Sequence, residues 1–319
     1  MVKNFALCCD SNYVPFACVT MKSIYESMNP DDEIRIHVLG NNLTDKDQEI
    51  LKSIGSGVFV YEVAEEMEKH GLGVTSEWSI ATWSRLCIPD IVDKDIDRVL
   101  YLDCDVIVND SLDELFAIAI DEKSIAACID TQDYADETFL RLGYDRNLRY
   151  ICAGVLMMNL DYWRKYDLKN KILEYGKGRR LKFLDQDAIN YVCRESKIIL
   201  PPDYGVLVPY FFHKDFIAEH KDEIKRIFWS PKIIHYAGYQ PWNYAKNKSA
   251  HSDLWWKYYN ALGMFPSVKK EYSKSKIKYF ARWILSKTGI IGKDNKYSIY
   301  QYYYHPKISE KTLSKQGIC

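Results

Sequence analysis

The sequence predicts an α/β fold: a mostly parallel, mixed β-sheet covered by helices, followed by a basic helical tail. Two observations carry this reading. Short apolar or alternating segments exchange regularly with segments of helical period through the first half of the chain, an exchange that returns successive strands to one sheet in one direction. The 319 residues are 47% hydrophobic and 27% charged, which suits a folded chain with a sizeable core. In such sheets ligands bind beyond the carboxyl ends of the strands. Polar residues that directly follow a strand are therefore the first candidates for a site.

Taken in order, residues 4–9 form a short apolar run and read as the first strand. Val14, Ala17, Cys18, Met21, Ile24, Tyr25 and Met28 recur at helical spacing. In residues 33–39, Ile34, Ile36 and Val38 alternate with polar neighbours, as in a strand. Thr44 is an N-cap candidate with Asp47 three residues on, opening a helix to about residue 54. Residues 57–63 are β-rich again. Further strands are expected over 98–102, 124–129, 154–160, 197–200 and 232–236, and helices over 79–87, 185–194 and 251–263.

Composition excludes several classes. Net charge is −1, which argues against a nucleic-acid binder. The nine cysteines form no C-x-x-C pair and lie mostly in apolar stretches, as small buried hydrophobes do in a reducing compartment. No apolar run approaches the ~18 residues of a membrane span. The apolar start of the chain meets Asp10 too soon for a secretory signal, so a cytoplasmic protein is expected.

The charge is unevenly placed. Residues 269–319 carry twelve Lys+Arg and three Asp+Glu, a balance of +9, and leave −10 (31 against 41) for residues 1–268. The expected boundary separates a catalytic domain over 1–266 from a basic, aromatic tail over 267–319. In the tail, Ile277, Phe280, Ala281 and Ile284 fall at helical spacing beside Lys274, Lys278 and Arg282. An apolar stripe next to a basic one suits an anionic membrane surface. Peripheral attachment at the inner face of the membrane is the expectation, with a helix packed on the domain as the alternative.

The chemistry centres on Asp103-Cys104-Asp105. Five D-x-D patterns occur, at Asp45/Asp47, Asp93/Asp95, Asp95/Asp97, Asp103/Asp105 and Asp185/Asp187, and most read as solvated helix starts or turns. Asp103/Asp105 differs because apolar strand residues flank it on both sides, and carboxylates there are costly unless paired or metal-bound. Alternate residues of one strand point the same way, so both carboxylates can face one ion. Oxygen ligands suit Mn²⁺ or Mg²⁺, ions that commonly bridge to phosphates.

The chain here resembles the family 8 retaining glycosyltransferases, which include bacterial lipo-oligosaccharide galactosyltransferases, glucosyltransferases and glycogenin. Seven motifs in order carry the resemblance over about residues 4–260. They are Asp10-Ser11-Asn12-Tyr13, Ala81-Thr82-Trp83-Ser84-Arg85-Leu86, the strand ending in Asp103-Cys104-Asp105, and Ala127-Cys128-Ile129-Asp130, then Ala153-Gly154-Val155-Leu156-Met157-Met158-Asn159-Leu160 with Trp163, Asp185-Gln186-Asp187-Ala188-Ile189-Asn190, and His235-Tyr236-Ala237-Gly238 with Pro241-Trp242.

The resemblance implies a single Rossmann-like, GT-A-type nucleotide-diphosphosugar transferase domain. It implies a Mn²⁺-dependent retaining hexosyltransferase moving galactose or glucose from UDP-galactose or UDP-glucose to a glycan, lipid-linked or protein hydroxyl. Asp103, Asp105 and His235 would bind the metal. Cys8, Asp10, Asn12, Tyr13 and Cys104 would hold the nucleotide, with Tyr13 stacked on uracil. Arg85, Ala153, Gly154, Asp185, Gly238 and Gln240 would line the sugar side, and Asp130 and Gln186 would be catalytic, Gln186 beneath the anomeric carbon.

The chain departs from the family pattern in three places. Cys152 stands where Asn is common, Gln240 where Lys precedes Pro-Trp, and Glu77 at a uridine-side His position. Lys246 or Lys248 could replace the missing cation. Two other readings stay open: a self-glucosylating primer protein, since the chain has 25 tyrosines, and a UDP-sugar-binding protein without transfer activity. Residue by residue, His235 also reads as a core histidine and Asp185 as a helix N-cap.

Overall fold

The structure, a computed structural model, describes residues 1–68, 80–211, 213–242 and 251–264. The 266/267 boundary, the tail with its amphipathic stripe, Glu77, Lys246 and Lys248 lie outside the described residues.

Among the described residues ten strands are present: β1 (Val2–Asp10), β2 (Glu33–Asn41), β3 (Val58–Glu62), β4 (Arg98–Leu102), β5 (Val106–Val108), β6 (Ile125–Ala127), β7 (Val155–Asn159), β8 (Lys197–Ile199), β9 (Val206–Leu207) and β10 (Ile233–His235). Seven of them form one sheet in the order β3-β2-β1-β4-β7-β6-β8. The β1/β2, β1/β4, β2/β3 and β6/β8 pairs are parallel, whereas β7 runs antiparallel to both of its neighbours. The expected mixed, mostly parallel sheet is therefore present. Elements cover both of its faces, which is why β7 is buried at every position and β1 does not alternate. The carboxyl ends of β1 and β4 share an edge with the start of the reversed β7, and that edge carries Asp10, Asp103 and Gly154.

Local sequence accounts for several elements. Thr44 and Asp47 form a reciprocal capping box that opens the helix Asp45–Lys52. The helix Val14–Ser27 has Pro at its first turn and buries Val14, Ala17, Cys18, Met21 and Ile24. Its Thr20, Ser23 and Ser27 form a hydroxyl stripe three to four residues apart. Thr20 donates to the carbonyls of Cys104 (3.0 Å) and Val106 (2.8 Å). Ser23 accepts from the Val108 amide at 3.0 Å, and Ser27 donates to the Val108 carbonyl at 2.9 Å. The stripe ties β5 to the first helix and fixes the turn that precedes it.

Other elements differ from expectation. Ile80–Cys87 is a 3-10 helix, not an α-helix. The short helices Asp113–Phe116, Asp136–Leu142 and Leu160–Lys165 are too brief for a period to show, and the nine-residue helix Leu168–Gly176 is also absent from the sequence reading. Just before the apolar run over residues 4–9, fully buried Lys3 is paired with Asp32 and Asp113.

The described residues divide into two compact units. The first comprises Met1–Val206 with Pro231–His235; the second includes Leu207–Ser230 and continues from Tyr236. The second unit has its own aromatic core, in which Tyr210 stacks on Phe216 (3.9 Å) and Trp255 on Tyr259 (5.2 Å). No helix among the described residues is long and apolar enough to cross a membrane. The eight described cysteines are free thiols, seven of them buried.

Candidate active site

Asp103 and Asp105 do not lie on one continuous strand. They occupy a turn between β4 and β5, two strands of different sheets. The carboxylates nevertheless converge, because β5 pairs antiparallel with β10 and His235 sits opposite Val106. Ligand atoms of Asp103, Asp105 and His235 all lie within 4.8 Å of one another. The His235 Nε2 atom is 3.1 Å from Asp105 Oδ1 and 3.6 Å from Asp103 Oδ2. Burial opposes charge on His235, but Asp105 outweighs it and holds the imidazole well above its ordinary pKa.

Two observations show that this donor set fits a divalent cation. Two carboxylates suit Mn²⁺ or Mg²⁺, and the added imidazole favours the transition metal of the two. The cluster also closes directly onto Gly154, where only a residue without a side chain fits: a Cβ there would stand 2.1 Å from His235 Cε1 and 2.6 Å from Asp103 Oδ2.

The tripeptide Cys152-Ala153-Gly154, entering β7, joins the Asp103/Asp105/His235 cluster to Gln186 and Arg85. The Cys152 thiol lies 3.5 Å from His235 Nδ1, the ring nitrogen turned away from the carboxylates. The Ala153 amide donates to Gln186 Oε1 at 2.9 Å, and its carbonyl accepts from Arg85. The Gly154 carbonyl accepts from the Asp103 amide at 2.9 Å. Asn190 clamps the approach to this segment, bonding both the amide and the carbonyl of Ile151 at 2.8 Å.

Arg85 is delivered by the 3-10 helix and is buried beneath these groups. Its Nε lies 2.9 Å from Asp185 Oδ2, its Nη2 3.2 Å from Asp103 Oδ1, and its guanidinium stacks 4.4 Å from the Tyr101 ring centroid. Burial opposes its charge, yet Asp185 and then Tyr101 and Asp103 keep it firmly cationic. The Tyr101 hydroxyl donates to Asp103 at 2.6 Å. Arg85 thus serves as the internal counter-ion that makes two clustered acids tolerable.

Asp185 is not a helix N-cap. The helix Leu184–Val192 begins after Phe183, and Asp185 lies one residue inside it, facing Arg85. Burial pushes its carboxyl up, to about 7, against the pull of Arg85. Both acids of the Asp185/Asp187 pattern are buried, so neither is the solvated helix-start residue expected of most such patterns.

At the end of β1, Asp10 accepts from the amides of Asn12 (2.9 Å) and Tyr13 (3.2 Å), forming a tight turn. Tyr13 is 45% exposed, leaving ring surface for stacking. The Cys104 thiol donates to the Cys8 carbonyl at 3.2 Å, and the Cys104 carbonyl accepts from Thr20. Both carbonyls are thus already engaged within the protein. Gly238 and Gln240 belong to the second unit, Gly238 with a left-handed φ of +70°.

Gln186 is pinned at both ends of its amide. Only its carbonyl oxygen can face the Ala153 N–H, so the Nε2 group donates to Asp130 Oδ2 (3.2 Å) and to the Tyr150 hydroxyl (3.1 Å). Asp130 also caps the turn after it, accepting from Gln132 at 2.8 Å. Tyr150, Asp187 and Arg141 were not singled out from the sequence. The usable signal was Asp187 itself, an acid in the first turn of a helix, where it can reach back to free amides.

The family model described as Glycosyl transferase family 8 matches residues 4–246. A lipopolysaccharide 1,2-glucosyltransferase of Escherichia coli is 27% identical over 286 residues, covering 85% of this chain and 83% of that protein. Glycosyltransferase GlyD of Streptococcus pneumoniae is 28% identical over 276 residues, but the chain spans only 31% of its length. A crystal structure of galactosyltransferase LgtC, in complex with donor and acceptor sugar analogues, superposes with a TM-score of 0.72 at 24% identity, covering 85% of this chain and 100% of that one.

Proposed function

The chain belongs to glycosyl transferase family 8 and is a glycosyltransferase; from that premise we propose that it transfers hexose from UDP-galactose or UDP-glucose, with a divalent cation, Mn²⁺ or Mg²⁺, in the Asp103/Asp105/His235 cluster. The observation that carries this reading is the convergence of those three residues against Gly154. When bound, the cation supplies positive charge for the diphosphate of the departing UDP.

The other roles fall to the chain's own groups. Tyr13 offers its ring to the uracil face, and the Asp10 turn orients it. Asp185 receives sugar hydroxyls beside Arg85, which keeps the pocket's acids compensated. Gln186 presents its carbonyl toward the face where positive charge develops on the sugar. An amide oxygen is a poor nucleophile, so Gln186 acts as a dipole, and the acceptor hydroxyl attacks from the face the diphosphate leaves. The leaving phosphate takes the acceptor proton. A glycan or lipid-linked hydroxyl is the proposed acceptor, and the +9 stretch over 269–319 suits one presented at an anionic surface.

Purified protein with Mn²⁺ is expected to release UDP from UDP-glucose or UDP-galactose. The sugar should be transferred with its α configuration retained, read by proton NMR of the product. A β-linked product would contradict the assigned role of Gln186.

A further inference from the structure

We infer that Tyr150 is a positioning residue for Gln186, held in place by the Asp187–Arg141 ion pair. This rests on the reading of Gln186 as the group facing the reacting sugar carbon. The Tyr150 hydroxyl donates to Asp187 Oδ1 at 2.8 Å. Its proton is thereby committed, and the oxygen lone pairs remain to accept from Gln186 Nε2 at 3.1 Å. With Ala153 holding the other end, the two contacts fix both the tilt and the flip of the amide.

Asp187 is itself saturated. It is fully buried, pairs with both terminal nitrogens of Arg141, and accepts from the amides of Lys182 (2.8 Å) and Phe183 (3.0 Å). A carboxylate so engaged has no face free for a sugar, so it serves to aim Tyr150.

The backbone supports the same purpose. Arg149, directly before Tyr150, has φ +56°, and Leu184, two residues before Gln186, has φ +38°. Non-glycine residues adopt such angles only where the surroundings impose them. At Arg149 those surroundings are explicit: its carbonyl accepts from Lys197 (2.6 Å) and Tyr144 (3.1 Å), its Nε donates to Asp133 at 2.7 Å, and the Tyr150 amide bonds the same Asp133. The Tyr150 ring is completely buried among Phe139, Leu142, Tyr144 and Phe183, a small apolar cluster of its own. Strain, ion pair and apolar cluster all converge on one hydroxyl and the amide that it touches.

The test is a double-mutant cycle on UDP release from UDP-glucose and UDP-galactose, with the intact chain and saturating Mn²⁺. Tyr150→Phe keeps the ring and removes only the hydroxyl. It should lower kcat by about tenfold or more, with donor KM and Tm nearly unchanged, as for a group acting in the transition state alone. In a Gln186→Ala background the same change should cost nothing further, because residues acting as one unit are not additive. Fluorotyrosine at position 150, which preserves shape and weakens the acceptor oxygen, should give a smaller kcat loss that also vanishes with Gln186→Ala. Full kcat in Tyr150→Phe, or losses that multiply in the double variant, would overturn the inference while leaving the site reading intact. Full kcat in Gln186→Ala would overturn the site reading and the inference together.

Discussion

Asp103→Ala and Asp105→Ala should each lower turnover by about a thousandfold, the scale expected when several kcal/mol of charge stabilisation is removed. Both side chains sit on a turn whose backbone is held independently, by Thr20, Ser23 and the Asp103–Gly154 backbone bond. The fold should therefore survive, with far-UV and near-UV circular dichroism unchanged. Asp103→Ala also removes one acid facing Arg85, but Asp185 still compensates that cation at 2.9 Å. Full activity for either variant would remove the cluster from the reaction.

Gly154→Ala should be nearly as damaging, although it adds a single methyl to an apolar strand entrance. The new carbon would stand 2.1 Å from His235 Cε1 and 2.6 Å from Asp103 Oδ2. His235 cannot swing away freely, being buried and in contact with Cys152 through Nδ1 and with Asp105 through Nε2. Displacing a ligand by about 1 Å costs on the order of a hundredfold in rate. Mn²⁺ affinity, read by electron paramagnetic resonance, should fall in parallel. Unchanged metal affinity would show that the ligands relax without cost.

The outline of this arrangement is legible in the sequence because strands announce themselves by period and ligands by type. The D-Q-D block is picked out by the family resemblance, while the capping box at Thr44 and the strand preceding Asp103 follow local rules. What joins them does not. The Asp103/Asp105 turn hides between two apolar runs that read as one strand, since β4 and β5 lie only three residues apart. The hydroxyl stripe of Thr20, Ser23 and Ser27 gains its meaning only from β5, which lies far along the chain. Arg141 and Asp187 are 46 residues apart, the first on a helix of seven residues, too short to display a period. Cys152 reads as a simple loss of a polar contact, yet its thiol faces the outer nitrogen of His235, where a hydrogen-bonding partner can fix the ring.

The most direct measurement is a calorimetric titration of the protein with UDP, in Mn²⁺ and again in excess chelator. Binding should require the metal, and Asp105→Ala should abolish the binding seen in Mn²⁺. UDP affinity that is equal with and without the metal would contradict the placement of the nucleotide diphosphate at the Asp103/Asp105/His235 cluster.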